Sequence, residues 1–182
     1  MDIYVPMLLF WVAAPILWRI YIDGKTTTEI GLHIGINSFL FFGISIIFGL
    51  LIGYIALCIG EKRIVKESNL FLVFTFLLVA ITEESIVRLF ITGRLLEIWG
   101  ILPATLISSI FFVLLHLHHP EVSVAKPGLM FQYLIFVFGV GIYLTLLYFY
   151  SHSIWPPLIS HLIINYISSL YPGLFIRKSL KK

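Results

Sequence analysis

The chain has 182 residues, with 12 Lys and Arg against 9 Asp and Glu, a formal charge of +3 at pH 7. Hydrophobic residues make up 60% of it and charged residues 12%, where soluble domains run near about 45–50% and about 25%, so water is excluded as the solvent for most of the surface. The cations are scattered between apolar runs, which sets orientation in a lipid bilayer and argues against nucleic acid as a partner; the single cysteine, Cys58, excludes an internal disulfide and a cysteine-rich zinc site.

Charge-free runs mark the elements in chain order. Ile3 to Trp18 is the first. It lacks a basic leading region and a clear small-residue cleavage site, so it reads as a retained helix and not a signal peptide. Ile30 to Gly60 is the second, and its Gly49-Leu-Leu-Ile-Gly53 spacing allows close helix contact. Ser68 to Thr82 opens the third, and Ile98 to Pro120 is the fourth. Pro127 to Ile176 holds no Asp, Glu, Lys or Arg. One helix of that length would reach about 75 Å against a hydrocarbon core of about 30 Å. It therefore turns, and Ser151-His152-Ser153 through Trp155-Pro156-Pro157 marks the place, leaving spans near 129–150 and 156–171. The fold class is all-α: a polytopic membrane bundle of about six helices, forming a single domain over 1–182. Six spans put both termini on one side. That side holds Lys62, Arg63, Lys66, Lys126, Arg177, Lys178, Lys181 and Lys182, against Arg19, Lys25 and Arg94 on the other, so both termini are expected in the cytoplasm.

Several polar groups interrupt these runs, and an ionisable residue inside a membrane helix is a functional hypothesis by default. In the third span, Glu83 and Glu84 follow a strongly apolar stretch. Glu84 and Arg88 are four apart and can pair on one helix face. Glu83 points about 100° away, and a carboxylate so placed can act as a general base on water. The pair could alternatively end the helix at the interface, but Leu89-Phe90-Ile91 continues apolar beyond Arg88. In the fourth span, His116 lies four after Phe112, so a ring and an imidazole share a face. His118 and His119, beside Pro120 and Glu121, read as interfacial, as do His33 and His152. In the sixth, His161 and Asn165 are four apart. Two converging donors suit a developing oxyanion, although packing by interhelical hydrogen bonds accounts for such a pair as well. Together these residues supply the inventory for water activation and oxyanion stabilisation.

Order and spacing resemble the CPBP family: type II CAAX prenyl endopeptidases, bacteriocin-processing enzymes and bacterial Abi proteins. The family pattern EExxxR, FxxxH, HxxxN is met by Glu83-Glu84-x-x-x-Arg88, Phe112-x-x-x-His116 and His161-x-x-x-Asn165. Ser153-Ile-Trp-Pro-Pro-Leu-Ile-Ser-His161 also resembles the approach to the last motif. The match covers roughly 70–170, the expected catalytic core. Val87 and Leu89 depart from the Phe and Gly that often flank the motif arginine. The resemblance implies an intramembrane endopeptidase acting on a peptide or small protein, lipidated or not, and the minimal size of the chain points to a prokaryotic plasma membrane. By carry-over, Glu83 and His116 activate water, His161 and Asn165 form the oxyanion hole, and Glu84, Arg88 and Phe112 support the site. No cofactor is expected; a divalent metal at Glu83, His116 and His161 is the less favoured alternative. Other readings are a non-catalytic relative that binds a peptide or partner, as in bacteriocin self-immunity or scaffolding, and a small proton-coupled transporter. The enzyme reading carries a depth condition. Counting about 1.5 Å per residue, Glu83 stands some 20 Å up its span from Ser68 and His116 roughly 20 Å down from Leu102. They meet if the two helices extend to about Leu96 and about Ala125, which is the expectation.

Overall fold

In hydrocarbon every backbone N–H and C=O must be satisfied within its own segment, so long apolar runs fold as helices. The computed structural model describes residues 4–59, 69–117 and 127–169, and among these there are six helices and no strand. The helix α1 is Tyr4–Leu17 and continues as a π-helical turn, Trp18–Ile22. Next comes α2, Ile36–Ile59. Asn69–Glu84, the π-helical Ser85–Thr92 and Gly93–Trp99 run on without a break and are together α3. Then follow α4, Ile101–His116; α5, Pro127–Ser151; and α6, Trp155–Ser169. Within α2 and α5, Ser38–Ala56 and Met130–Ser151 are long and apolar enough to cross a membrane. Leu9, Phe10, Phe39, Leu40, Ile47 and Phe131 are all exposed, an outer surface suited to lipid and not to water. The protein is an integral membrane protein.

The last charge-free run does divide at residues 152–154, where His152 takes a positive φ of 51°. The second run is corrected. Its helix starts at Ile36, and Ile30–Gly35 belongs to a loop. Gly31, with φ +82°, sits where a Cβ would lie 3.1 Å from the Tyr148 ring. Thr26 and Glu29 exchange hydrogen bonds in the manner of a capping box, at 2.8, 2.9 and 3.2 Å. The carbonyls that this loop leaves without helical partners are taken by the α5–α6 region. Tyr148 Oη donates to Ile30 O, Ile154 N–H to Gly31 O, Trp155 Nε1–H to Leu32 O and Ser153 Oγ to His33 O. His33 and His152 thus lie in connecting segments.

Three contacts fix the bundle. Gly49 and Gly53 seat α2 on α6: a Cβ at Gly53 would fall 2.9 Å from Ile167 Cβ, and one at Gly49 3.1 Å from Ser160 Oγ. A core of Val87, Phe112, Val137, Val140, Leu144 and Ile164 joins α3, α4, α5 and α6. At the far end of α3, beyond its apolar part, buried Arg19 binds Asp23 at 2.8 Å and Glu97 at 2.7 Å, with Lys25 on Glu97 and Arg94 on Asp23. This ion cluster ties α1 to α3.

The depth condition is met by a shorter route than expected. As predicted, α3 extends well past its charged pair, to Trp99. α4 is described to His116, with Leu117 as its C-cap. The expected extension to about Ala125, like His118 and His119, falls on residues 118–126, outside the described ones. None of that extension is needed. Glu83 and His116 stand almost equally far along the chain from the Gly100 turn, in opposite directions, so the α3–α4 hairpin brings them to similar depth.

Candidate active site

The third helix delivers Glu83 and Glu84 at the point where it widens from α to π geometry. Such wide turns are rare and gather at functional sites. Glu84 and Arg88 are both fully buried, and Arg88 Nε lies 3.0 Å from Glu84 Oε2. The predicted ion pair is present. The other oxygen of Glu84 has a partner the spacing did not reveal: His161 Nδ1 of α6, at 2.9 Å. On the far side of the same imidazole, Nε2 lies 3.5 Å from Glu83 Oε2. Consecutive carboxylates therefore address the two nitrogens of one ring. Sequence spacing had separated Glu83 from Glu84 as facing different surroundings. Both in fact reach His161, because its ring stands across the helix and offers one nitrogen to each.

Phe112 is the hub of the aromatic side. Its ring is buried, with its centroid 4.6 Å from that of His116 and 5.4 Å from that of His161. The Arg88 guanidinium lies over it, 5.1 Å from the centroid, which favours the cation through the ring quadrupole. Val87 packs in the core with Phe112, and Leu89 packs in a second cluster with Tyr148 and Ile154. The two departures from the family pattern thus fill apolar space on either side of Arg88. Asn165 stands one helical turn after His161 and is half-buried, so it shares that face of α6.

Proton positions follow from the partners. A carbonyl only accepts, so His116 Nδ1, 2.8 Å from Phe112 O, carries the hydrogen. His161 Nδ1 likewise donates to Glu84, which is already paired with Arg88. The remaining contact, His161 Nε2 with Glu83 Oε2, is favourable only if one proton sits on one of the two atoms. His161 Nδ1 is therefore committed to Glu84. No three His, Cys, Asp or Glu side chains converge as a metal-holding group among the described residues.

A family model described as Type II CAAX prenyl endopeptidase Rce1-like matches residues 66–167, more than half of the chain. No curated protein and no solved structure matches.

Proposed function

We infer that this chain, which belongs to the Type II CAAX prenyl endopeptidase Rce1-like family, hydrolyses a peptide bond with a water activated by Glu83. The family makes it a CAAX-protease-type intramembrane endopeptidase acting on a peptide or protein at the membrane. The observation that carries the finer reading is the His161 imidazole clamped between Glu83 and Glu84. Arg88 holds Glu84, Glu84 holds His161 Nδ1–H, and the ring is thereby fixed with Nε2 towards the reacting centre.

In the reading proposed, the shared proton resides on His161 Nε2 when substrate binds, leaving Glu83 as the carboxylate. Glu83 removes a proton from water as the oxygen attacks the scissile carbonyl carbon. The carbonyl oxygen becomes an oxyanion and accepts from His161 Nε2–H and the Asn165 amide. The C–N bond then breaks while the proton held by Glu83 passes to the leaving amine, giving a free carboxylic acid and an amine. His116, across Phe112, assists that transfer. Each step uses a donor or acceptor within the low-dielectric bundle, where preorganised groups stabilise charge most strongly.

The test is cleavage of internally quenched peptides ending in a CAAX sequence, farnesylated and unmodified, by the full chain in detergent. Wild type is expected to cleave. Glu83→Gln is expected to lower kcat by about 10²–10⁴-fold, the usual contribution of a general base. Undiminished cleavage by Glu83→Gln removes Glu83 from the role. A preference between the two peptides decides whether the substrate is lipidated.

A further inference from the structure

Glu84 meets only one edge of the Arg88 guanidinium. At another, Arg88 Nη1 donates to Thr145 Oγ1 of α5 at 3.3 Å. Thr145 is fully buried, and so is Ser108 of α4, whose Oγ lies 3.1 Å from Thr145 Oγ1. Thr145 also reaches Gly141 O at 2.9 Å, and Ser108 reaches Ala104 O at 2.6 Å. A hydroxyl has one proton and two lone pairs. Whether Thr145 donates to Gly141 O or to Ser108 Oγ, its oxygen keeps a lone pair for Arg88. Gly141 makes the meeting possible, because a Cβ there would lie 3.1 Å from Ser109 Cα and force α5 away from α4.

We propose that Thr145, held by Ser108, is a positioning residue that sets the plane of Arg88 and, through Glu84, the aim of His161. The proposal rests on the peptidase reading of this site. Three helices contribute four polar side chains to a line that ends on the imidazole: Ser108 on α4, Thr145 on α5, then Arg88 and Glu84 on α3. A hydroxyl that merely joined α4 to α5 would need no cation at its lone pair. The charged groups around His161 are Glu83, Glu84 and Arg88 from α3, with His116 of α4 beyond Phe112. Thr145 touches only Arg88 among them, so its influence has one route.

The experiment uses the full chain in detergent micelles with ¹⁵N-labelled histidine. The His161 Nδ1–H proton is assigned by its loss in His161→Gln. Wild type should show it downfield and protected from solvent exchange. In Thr145→Val it should move upfield and exchange at least about tenfold faster, and kcat on the farnesylated peptide should fall about tenfold with KM unchanged, as expected for misaimed catalytic groups. Thr145→Ser, which restores the hydroxyl, should return both to wild-type values. Ser108→Ala should change the resonance in the same direction by less, and it decides the matter if Thr145→Val does not fold. An unprotected wild-type resonance, or one that neither Thr145→Val nor Ser108→Ala alters, overturns the proposal. Failure of wild type to cleave, with the resonance still following the hydroxyl, would sink the peptidase reading and leave the positioning role standing.

Discussion

Glu83 and Glu84 are neighbours with opposite expected consequences for stability. Glu84→Gln keeps the side-chain shape but removes the only carboxylate in ion-pair distance of Arg88 among the described residues. Arg88 is fully buried, with Nη2 already without a hydrogen-bond partner. Breaking a buried pair from one side costs about 3–5 kcal/mol, because the remaining charge is left uncompensated. For a chain of this length each kcal/mol moves Tm by about 2–4 °C, so a fall of roughly 10 °C is expected. Glu83 has an oxygen that makes no hydrogen bond and only a 3.5 Å contact with His161. Glu83→Gln should change stability by about 1 kcal/mol or less, while lowering kcat by about 10²–10⁴-fold. Thermal unfolding in detergent at pH 7, run beside peptide cleavage on the same preparations, separates the two. A Glu84→Gln melt that coincides with wild type would refute the reasoning, as would a Glu83→Gln melt lowered as far as that of Glu84→Gln.

Gly53→Val should lower Tm, since its Cβ would lie 2.9 Å from Ile167 Cβ and overpacking of this kind costs about 1–3 kcal/mol; a melt no lower than wild type would contradict the seating of α2 on α6. The hydrogen bond from Arg19, and then Lys25, hold the Glu97 carboxyl below its ordinary value of 4.5, against the opposing effect of burial. Its stabilisation is therefore present above the unfolded value and lost as pH falls through the lower folded one. Wild type should accordingly lose more stability than Glu97→Gln in melts taken from pH 6 down to pH 3, and equal slopes would count against it. A chelator added to the cleavage assay should leave the rate unchanged; loss of activity restored by zinc would replace the glutamate reading with a metal one.

The helices were legible because lipid makes composition speak plainly. An uncharged run must be helical, and a run too long for the bilayer must turn, which located the break between α5 and α6 within a few residues. The length of α3 was harder to read, since its apolar signal stops at the charged pair although the helix continues to Trp99. The loop before α2 was missed because Ile30–Gly35 is as apolar as a span. Its burial comes from docking on Tyr148, Ser153, Ile154 and Trp155, residues more than a hundred positions away. At the site, helical spacing found Glu84 with Arg88, and Phe112 with His116, because both partners ride on one helix. It could not show that His161 bridges the two glutamates. Spacing says which residues share a face, not which face meets which across a bundle. The same limit hid Arg19 with Glu97 and Arg88 with Thr145.

The π-helical stretch from Ser85 to Thr92 has a consequence for how this chain can change. Every helical residue rotates the chain about the helix axis, so deleting one residue anywhere in the stretch would swing Arg94 and Glu97 round that axis relative to Glu84. The carboxylates would still find His161, but Glu97 would leave Arg19. The wide turn thus acts as a phase adjuster, letting one helix address an imidazole at its middle and a cluster of cations at its end. Insertions and deletions should be far better tolerated in the connecting loops than in those eight residues.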